Sequence, residues 1–147
     1  MSSKVARHRA REFALQGIYQ WLLSGNDAPA IEAHFIDVSG FDKADQTLFA
    51  QLLRGVLNDT ETLQNDFAPY IHRTVEELSP VERAILLLAT YELRHNIETP
   101  YRVIINEAIE LAKSYGGTDG HRFVNGVLDK LAAQLRDIEV NAARASE

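Results

Sequence analysis

The sequence contains no cysteine. A chain without thiols has no disulfide framework, no thiolate nucleophile and no cysteine-ligated zinc site. It also lacks a long apolar run, because its richest stretch, 84–89, is far shorter than the roughly 20 residues that span a bilayer. No apolar core of a secretory signal follows the charged N-terminus. These absences favour a protein of the reducing cytoplasm without a membrane partner.

Proline and glycine are scarce, with four and eight residues, and most of them lie between periodic segments. Within those segments apolar residues recur every three or four positions, which is typical of amphipathic helices. No stretch alternates apolar and polar residues for long enough to indicate a strand. The pattern predicts an all-α protein of six or seven helices packed as one globular domain over 1–138, with a frayed tail over 139–147.

Several short motifs predict where helices begin and end. Thr60 is expected to cap or kink a helix, since its hydroxyl competes for backbone groups. Thr74 and Glu77 have the spacing of a capping box, and Ser79-Pro80 starts the next helix with a cap hydroxyl and a first-turn proline. Thr99-Pro100 repeats that device. Gly116-Gly117 is expected to end a helix, because glycine adopts the left-handed conformation of a C-cap without strain.

Positive charge is in the minority, with 15 lysines and arginines against 21 acids, but it is concentrated at the N-terminus. No acid precedes Glu12. This basic arm, 1–11, on an acidic body predicts a polyanionic partner such as RNA or DNA. Its basic residues are Lys4, Arg7, His8, Arg9 and Arg11. The spacing puts Arg7 and Arg11 on one helix face. We expect this face to point outward while the apolar face of the same helix packs against the rest of the protein.

A plain solvated helix start is the alternative interpretation of the arm. It is weakened because cations near a helix N-terminus oppose the helix dipole, at about 0.3–1 kcal/mol each.

A second candidate site is the glycine-rich stretch from Lys113 to Phe123, where basic and aromatic residues interleave. Such a mixture suits single-stranded RNA, whose bases stack on rings while its phosphates meet cations. The phosphate-binding P-loop spacing is absent. The alternative is an ordinary turn between helices with Phe123 in the core.

Catalytic and metal-binding patterns are missing. Glu92 and His95 have the Glu-x-x-His spacing of di-iron bundles, but those sites need a second copy on another helix. The five histidines are scattered, and there is neither an H-E-x-x-H motif nor a nucleophile elbow. The sequence therefore predicts a protein that is not an enzyme, with no metal, no cofactor and no small-molecule substrate.

Long blocks of the chain resemble the NusB family of bacterial transcription antitermination factors. The blocks are ARHRARE at 6–12, EEL at 76–78, ATYEL at 89–93, PYRVIINEAIELAKSYG at 100–116 and HRFVNGVLD at 121–129. The resemblance extends from Ala6 to about Leu135. It implies an all-α fold of about seven helices in two packed bundles, and a factor that binds single-stranded boxA-type RNA with NusE, a small-subunit ribosomal protein, in the RNA polymerase antitermination complex.

The resemblance also implies site residues. Those on the RNA side are Lys4, Arg7, His8, Arg9, Arg11, Tyr19, Lys113, Tyr115, Asp119, Arg122 and Phe123. His8 replaces an arginine common in the family's motif, so the arm carries less permanent charge. Glu76, Glu82 and Arg83 fall where the NusE-binding surface is expected. A helical protein-binding adaptor without direct RNA contact remains the alternative.

Overall fold

A computed structural model describes residues 2–146 of the protein, and this part of the chain contains α-helices, short 3₁₀ turns and no strand. The α-helices are α1 (Lys4–Ser24), α2 (Ala28–Ile36), α3 (Gln46–Phe67), α4 (Pro80–His95), α5 (Tyr101–Tyr115), α6 (Gly120–Leu135) and α7 (Asp137–Ala145). The 3₁₀ turns are Phe41–Lys43, Ala68–Tyr70 and Val75–Glu77. The chain forms two compact units, and the boundary between them lies between Thr60 and Glu61. The all-α prediction is confirmed.

The first unit packs around a cluster of aromatic rings. Edge-to-face pairs, with ring centroids 4.9–5.8 Å apart, connect α1, α2, the first 3₁₀ turn and α3, and they are formed by Phe13, Phe35, Phe41 and Phe49. Gly17 allows close approach, because a Cβ there would lie 3.1 Å from the side chains of both Ile31 and Leu53. The hydrophobic face of α1 is therefore held firmly against α2 and α3.

Helix α3 bends where a kink or cap at Thr60 is predicted. Asp59 has non-helical backbone angles, φ −124° and ψ 20°. The Thr60 hydroxyl donates to the Val56 carbonyl at 2.7 Å, and such back-bonding is known to bend helices. The predicted kink is therefore confirmed, and it lies at Asp59, one residue before Thr60.

The second unit is built from α4, α5 and α6, which pack on one another, with α7 against α6. The predicted capping motifs at its start are confirmed: Glu77 Oε1 accepts from the Thr74 N–H at 3.0 Å, and Ser79 Oγ accepts from the Glu82 N–H at 3.2 Å. Residues 84–90 of α4 are all buried, so this helix is covered around its circumference. Such a helix is the core element of a bundle.

Three local predictions differ from the structure. Thr99 does not cap α5; the N–H of Tyr101 donates to Glu139 Oε2 at 2.9 Å. Gly116 is extended, with φ −92° and ψ −178°, and a Cβ there would lie 2.7 Å from the Ala112 carbonyl oxygen. The tail that is predicted to fray from Glu139 is helical in α7, because Glu139 is bonded and Val140 is buried. Each difference arises from a tertiary contact or from backbone sterics.

Candidate nucleic-acid interface

Residues 4–11 of the basic arm form the first two turns of α1. Ser3 caps the helix, accepting from the Ala6 N–H at 3.0 Å. Arg7 is half-buried, and its Nη1 donates to the Ser2 carbonyl at 2.6 Å. The Ser2 hydroxyl, the Leu48 amide and the Arg7 guanidinium hold the pKa of Asp45 below its ordinary value. Arg7 thus stabilises the start of the first unit.

Arg11 is buried, with only 3% of its surface exposed. This differs from the expectation that Arg7 and Arg11 point outward together. Both lie on the side of α1 that carries the buried Ile18, seven residues beyond Arg11, and positions i, i+4 and i+7 share a helix face. The spacing correctly groups the two arginines, but their shared face is turned toward the protein.

Other arm residues on α1 are accessible. Lys4 is exposed, and His8 and Arg9 are partly exposed. His8 Nε2 lies 3.6 Å from Glu12 Oε1. Tyr19 is 38% exposed, and it lies on the same side as His8 because eleven residues make three helical turns. A ring and several basic groups are therefore accessible along one helix.

The second candidate site is the junction between α5 and α6. Lys113 and Tyr115 end α5, Asp119 precedes α6, and Arg122 and Phe123 lie in its first turn. All but Phe123 are exposed; Phe123 is half-buried. Cations and rings thus surround this junction in the second unit, whereas the arm residues belong to the first unit.

One ring of this junction has a neighbour that no motif in the sequence indicates. The guanidinium carbon of Arg73 lies 4.5 Å from the centroid of the Phe123 ring. Arg73 Nη2 is also 3.8 Å from Glu82 Oε1. Fifty residues separate Arg73 from Phe123, so no local spacing signals the contact. Phe123 is therefore neither a core residue nor a fully free ring.

The residues predicted to contact a protein partner have different surroundings. Glu76 is exposed in the turn Val75–Glu77, beside Glu77, whose pKa is lowered by the backbone N–H and hydroxyl of Thr74. Glu82 is directed to Arg73. Arg83 donates from Nε and Nη2 to Gln64 Oε1 at 2.9 and 2.6 Å. Glu76 is thus the exposed member of this set.

Over 2–146, no group of three or more histidine, aspartate or glutamate side chains is arranged to hold a metal ion. No helix in this range is both long and apolar enough to cross a membrane. The accessible chemistry of the two candidate sites is that of cations beside aromatic rings, which suits phosphates and unpaired bases.

Known proteins of similar sequence cover nearly the whole chain. Transcription antitermination protein NusB of Aromatoleum aromaticum is 76% identical over 145 residues, which are 99% of this chain and 100% of that protein. The protein of the same name from Azoarcus sp. is 70% identical over 148 residues, covering 100% of this chain and 96% of the relative.

Solved structures share the fold. The structure of T. maritima NusB is 29% identical, has a TM-score of 0.76, and covers 90% of this chain and 92% of its own. A crystal structure of the antitermination factors NusB and NusE with dsRNA has a TM-score of 0.79 at 21% identity, covering 90% and 99%, and this likeness shows the fold alone. The sequence profile of the NusB family matches residues 8–133. Together with the 76% identity of its relative, this match shows that the chain belongs to the NusB family.

Proposed function

We propose that the protein is a non-catalytic, RNA-binding transcription antitermination factor that binds boxA-type nascent RNA together with NusE. The observation that carries this proposal is its membership of the NusB family, in which a relative with 76% identity has the name Transcription antitermination protein NusB. The complex would act at RNA polymerase, notably on ribosomal RNA operons. We place it in the cytoplasm, where nascent bacterial RNA is made.

The accessible cations supply the phosphate contacts of this function. Lys4 and Arg9 belong to the arm, and Lys113 and Arg122 belong to the junction between α5 and α6. The net charge of −6 disfavours binding of RNA elsewhere on the surface, since like charges repel over about a Debye length. Binding is thereby restricted to the basic positions.

Exposed rings supply base contacts. Tyr19 and Tyr115 are 38% and 39% exposed, and aromatic stacking of a base is worth about 1–3 kcal/mol. His8 and Asp119 lie beside these cations and rings in sequence and complete the proposed RNA side. Arg7 and Arg11 contribute chiefly by holding α1 in place, because they are half-buried and buried.

NusE is the proposed protein partner. A neighbour of the same fold was crystallised with NusE and dsRNA. Glu76 is the proposed residue that contacts the partner directly, because it is exposed, whereas Glu82 and Arg83 are engaged with Arg73 and Gln64.

Fluorescence anisotropy tests the proposal. A labelled boxA-type RNA and a scrambled RNA of the same composition are titrated with the protein, alone and with NusE. We expect tighter binding of the boxA-type RNA, and a further gain with NusE. If neither RNA is bound under any of these conditions while NusE binds the protein, the function is that of a helical adaptor without RNA contact.

A pair of charge reversals tests the arm. Arg9→Glu should weaken the binding of both RNAs, because it replaces a phosphate contact with a repulsive charge. Arg144→Glu makes the same change at an exposed position in the last turn of α7 and should leave affinity nearly unchanged. Equal losses from the two variants would indicate only a general charge effect.

A further inference from the structure

The contact between Arg73 and Phe123 joins two chemistries that bind RNA. The guanidinium of Arg73 lies over the face of the Phe123 ring, 4.5 Å from its centroid. Its side chain is 40% exposed, so the cation is accessible to a ligand while it contacts the ring. A planar guanidinium stacks on aromatic faces and on nucleic-acid bases, and it also pairs with phosphate.

Two features hold Arg73 in this position. Glu82 Oε1 lies 3.8 Å from Arg73 Nη2, and the Glu82 side chain is only 18% exposed. His72, immediately before Arg73, has a positive φ of 57°, which is uncommon for a residue with a side chain. Strained backbone of this kind is concentrated at functional sites. The backbone turn at His72 and the Glu82 carboxylate thus hold the Arg73 guanidinium against the Phe123 ring.

We propose that Arg73 and Phe123 together form a stacking site for one unpaired RNA base, in which Arg73 also neutralises a neighbouring phosphate. This inference rests on the proposed function and deepens it by naming a residue that determines affinity for single-stranded RNA. Arg73 lies outside the basic arm and outside the stretch from Lys113 to Phe123. Its contribution is available only because the turn before α4 meets the first turn of α6.

The chemistry of the site distinguishes arginine from lysine. Lysine retains the positive charge but has a compact ammonium group that cannot stack as a plane. Arg73→Lys should therefore keep the phosphate contact and lose the stacking, whereas Arg73→Ala should lose both. Arg144→Ala, in the exposed last turn of α7, removes one charge elsewhere and is the matched control.

The experiment measures the affinity of these full-length variants for boxA-type RNA by fluorescence anisotropy at several salt concentrations. We expect Arg73→Ala to weaken binding about tenfold, within the range of about 5- to 150-fold for loss of one stacked base. The slope of log K against log salt should become shallower by about 0.7. Compared with Arg73→Ala, Arg73→Lys should restore the salt slope of the unaltered protein but only part of its affinity for RNA. Thermal melting followed by circular dichroism confirms that each variant is folded.

A set of RNAs with one abasic nucleotide each identifies the stacked base. One abasic position should weaken binding to the unaltered protein and cause little further loss with Arg73→Ala, because base and side chain act as a pair. If Arg73→Ala instead reduces the binding of every RNA by the same factor, Arg73 contributes only charge, and the stacking site is disproved.

The outcomes also separate this inference from the proposed function. If Arg9→Glu weakens RNA binding while Arg73→Ala behaves like Arg144→Ala, the function stands and the stacking site does not. If the unaltered protein binds no boxA-type RNA with or without NusE, both fail.

Discussion

At the scale of single residues, Arg136 shows how one buried cation organises several chain segments. It is 6% exposed and lies between α6 and α7. Its guanidinium donates hydrogen bonds to the backbone carbonyls of Glu92, Leu93, Asn96 and Thr99 and to the Glu139 carboxylate. The Leu93 carbonyl, near the end of α4 where carbonyls lack helical partners, thereby gains a donor. The Glu92 and Asn96 carbonyls, which already accept from the N–H groups of Asn96 and Thr99, gain a second one.

Replacing Arg136 should be severely destabilising. We expect Arg136→Ala to lower the free energy of unfolding by about 3–5 kcal/mol, because it removes the donor of the Leu93 carbonyl and the ion pair with Glu139. Urea unfolding measures this loss. Arg144→Ala, at an exposed position, should change the free energy by less than about 0.5 kcal/mol. Similar values for the two variants would contradict the structural role of Arg136.

Asp45 links stability to pH. The Ser2 hydroxyl, the Leu48 amide and the Arg7 guanidinium lower its pKa in the folded state. A carboxylate with a lowered pKa stabilises the fold above its unfolded pKa of about 4, and this contribution disappears as the pH falls through the folded pKa. The stabilisation is less than about 1 kcal/mol, since Asp45 is partly exposed.

Asp45→Asn isolates this charge, because asparagine still caps a helix. Its free energy of unfolding should lie below that of the unaltered protein at pH 7, and the difference should shrink below about pH 4. Urea unfolding at pH 7, 5 and 3 measures it. Asp42→Asn, at an exposed neighbouring position, is the control. A difference that is the same at all three pH values would exclude the charge as its source.

At the scale of elements, α7 supports the start of α5. Glu139 accepts from Arg136 Nη1 at 2.7 Å through Oε1 and from the Tyr101 N–H at 2.9 Å through Oε2. It satisfies one of the free N–H groups at a helix N-terminus. Val140, the residue after Glu139, is buried. A nine-residue helix that is marginal alone is thus stabilised by tertiary contacts.

Removing residues 138–147 tests this role. We expect the free energy of unfolding to fall by about 2–4 kcal/mol, from the lost burial of Val140 and the lost hydrogen bonds of Glu139. The affinity for RNA should change little, because the proposed RNA-side residues are retained. Urea unfolding measures the free energy of unfolding, and fluorescence anisotropy measures the affinity for RNA. Removing only 144–147, which leaves Glu139 and Val140 in place, is the control and should have a small effect.

At the scale of the whole molecule, binding of RNA by an acidic protein depends on a few cations. With contacts from Lys4, Arg9, Lys113 and Arg122 and the contact proposed for Arg73, the slope of log K against log salt should be about −3.5, at about 0.7 per contact for single strands. A salt titration from about 50 to 200 mM measures it. Arg9→Glu should make the slope shallower, and Arg144→Glu should not. A slope near zero would contradict binding through phosphates.

Local patterns account for the parts of the molecule that local forces create. The helical periods, the capping pair of Thr74 and Glu77 and the bend at Thr60 all follow from residues within one or two turns. The basic arm is also visible in the sequence. The direction in which Arg11 points is not visible there. Helical spacing defines which residues share a face but does not define which face meets the core.

The sequence by itself therefore determined the all-α class, the capping pair of Thr74 and Glu77, the charge reversal at the N-terminus and the family. Only the tertiary structure decided that Arg11 is buried, that Glu139 caps α5 and that Arg73 covers Phe123. The physical reason is distance along the chain. Helical periods and caps depend on neighbours three or four residues away, whereas Glu139 and Arg73 meet partners 38 and 50 residues away, which only packing brings together.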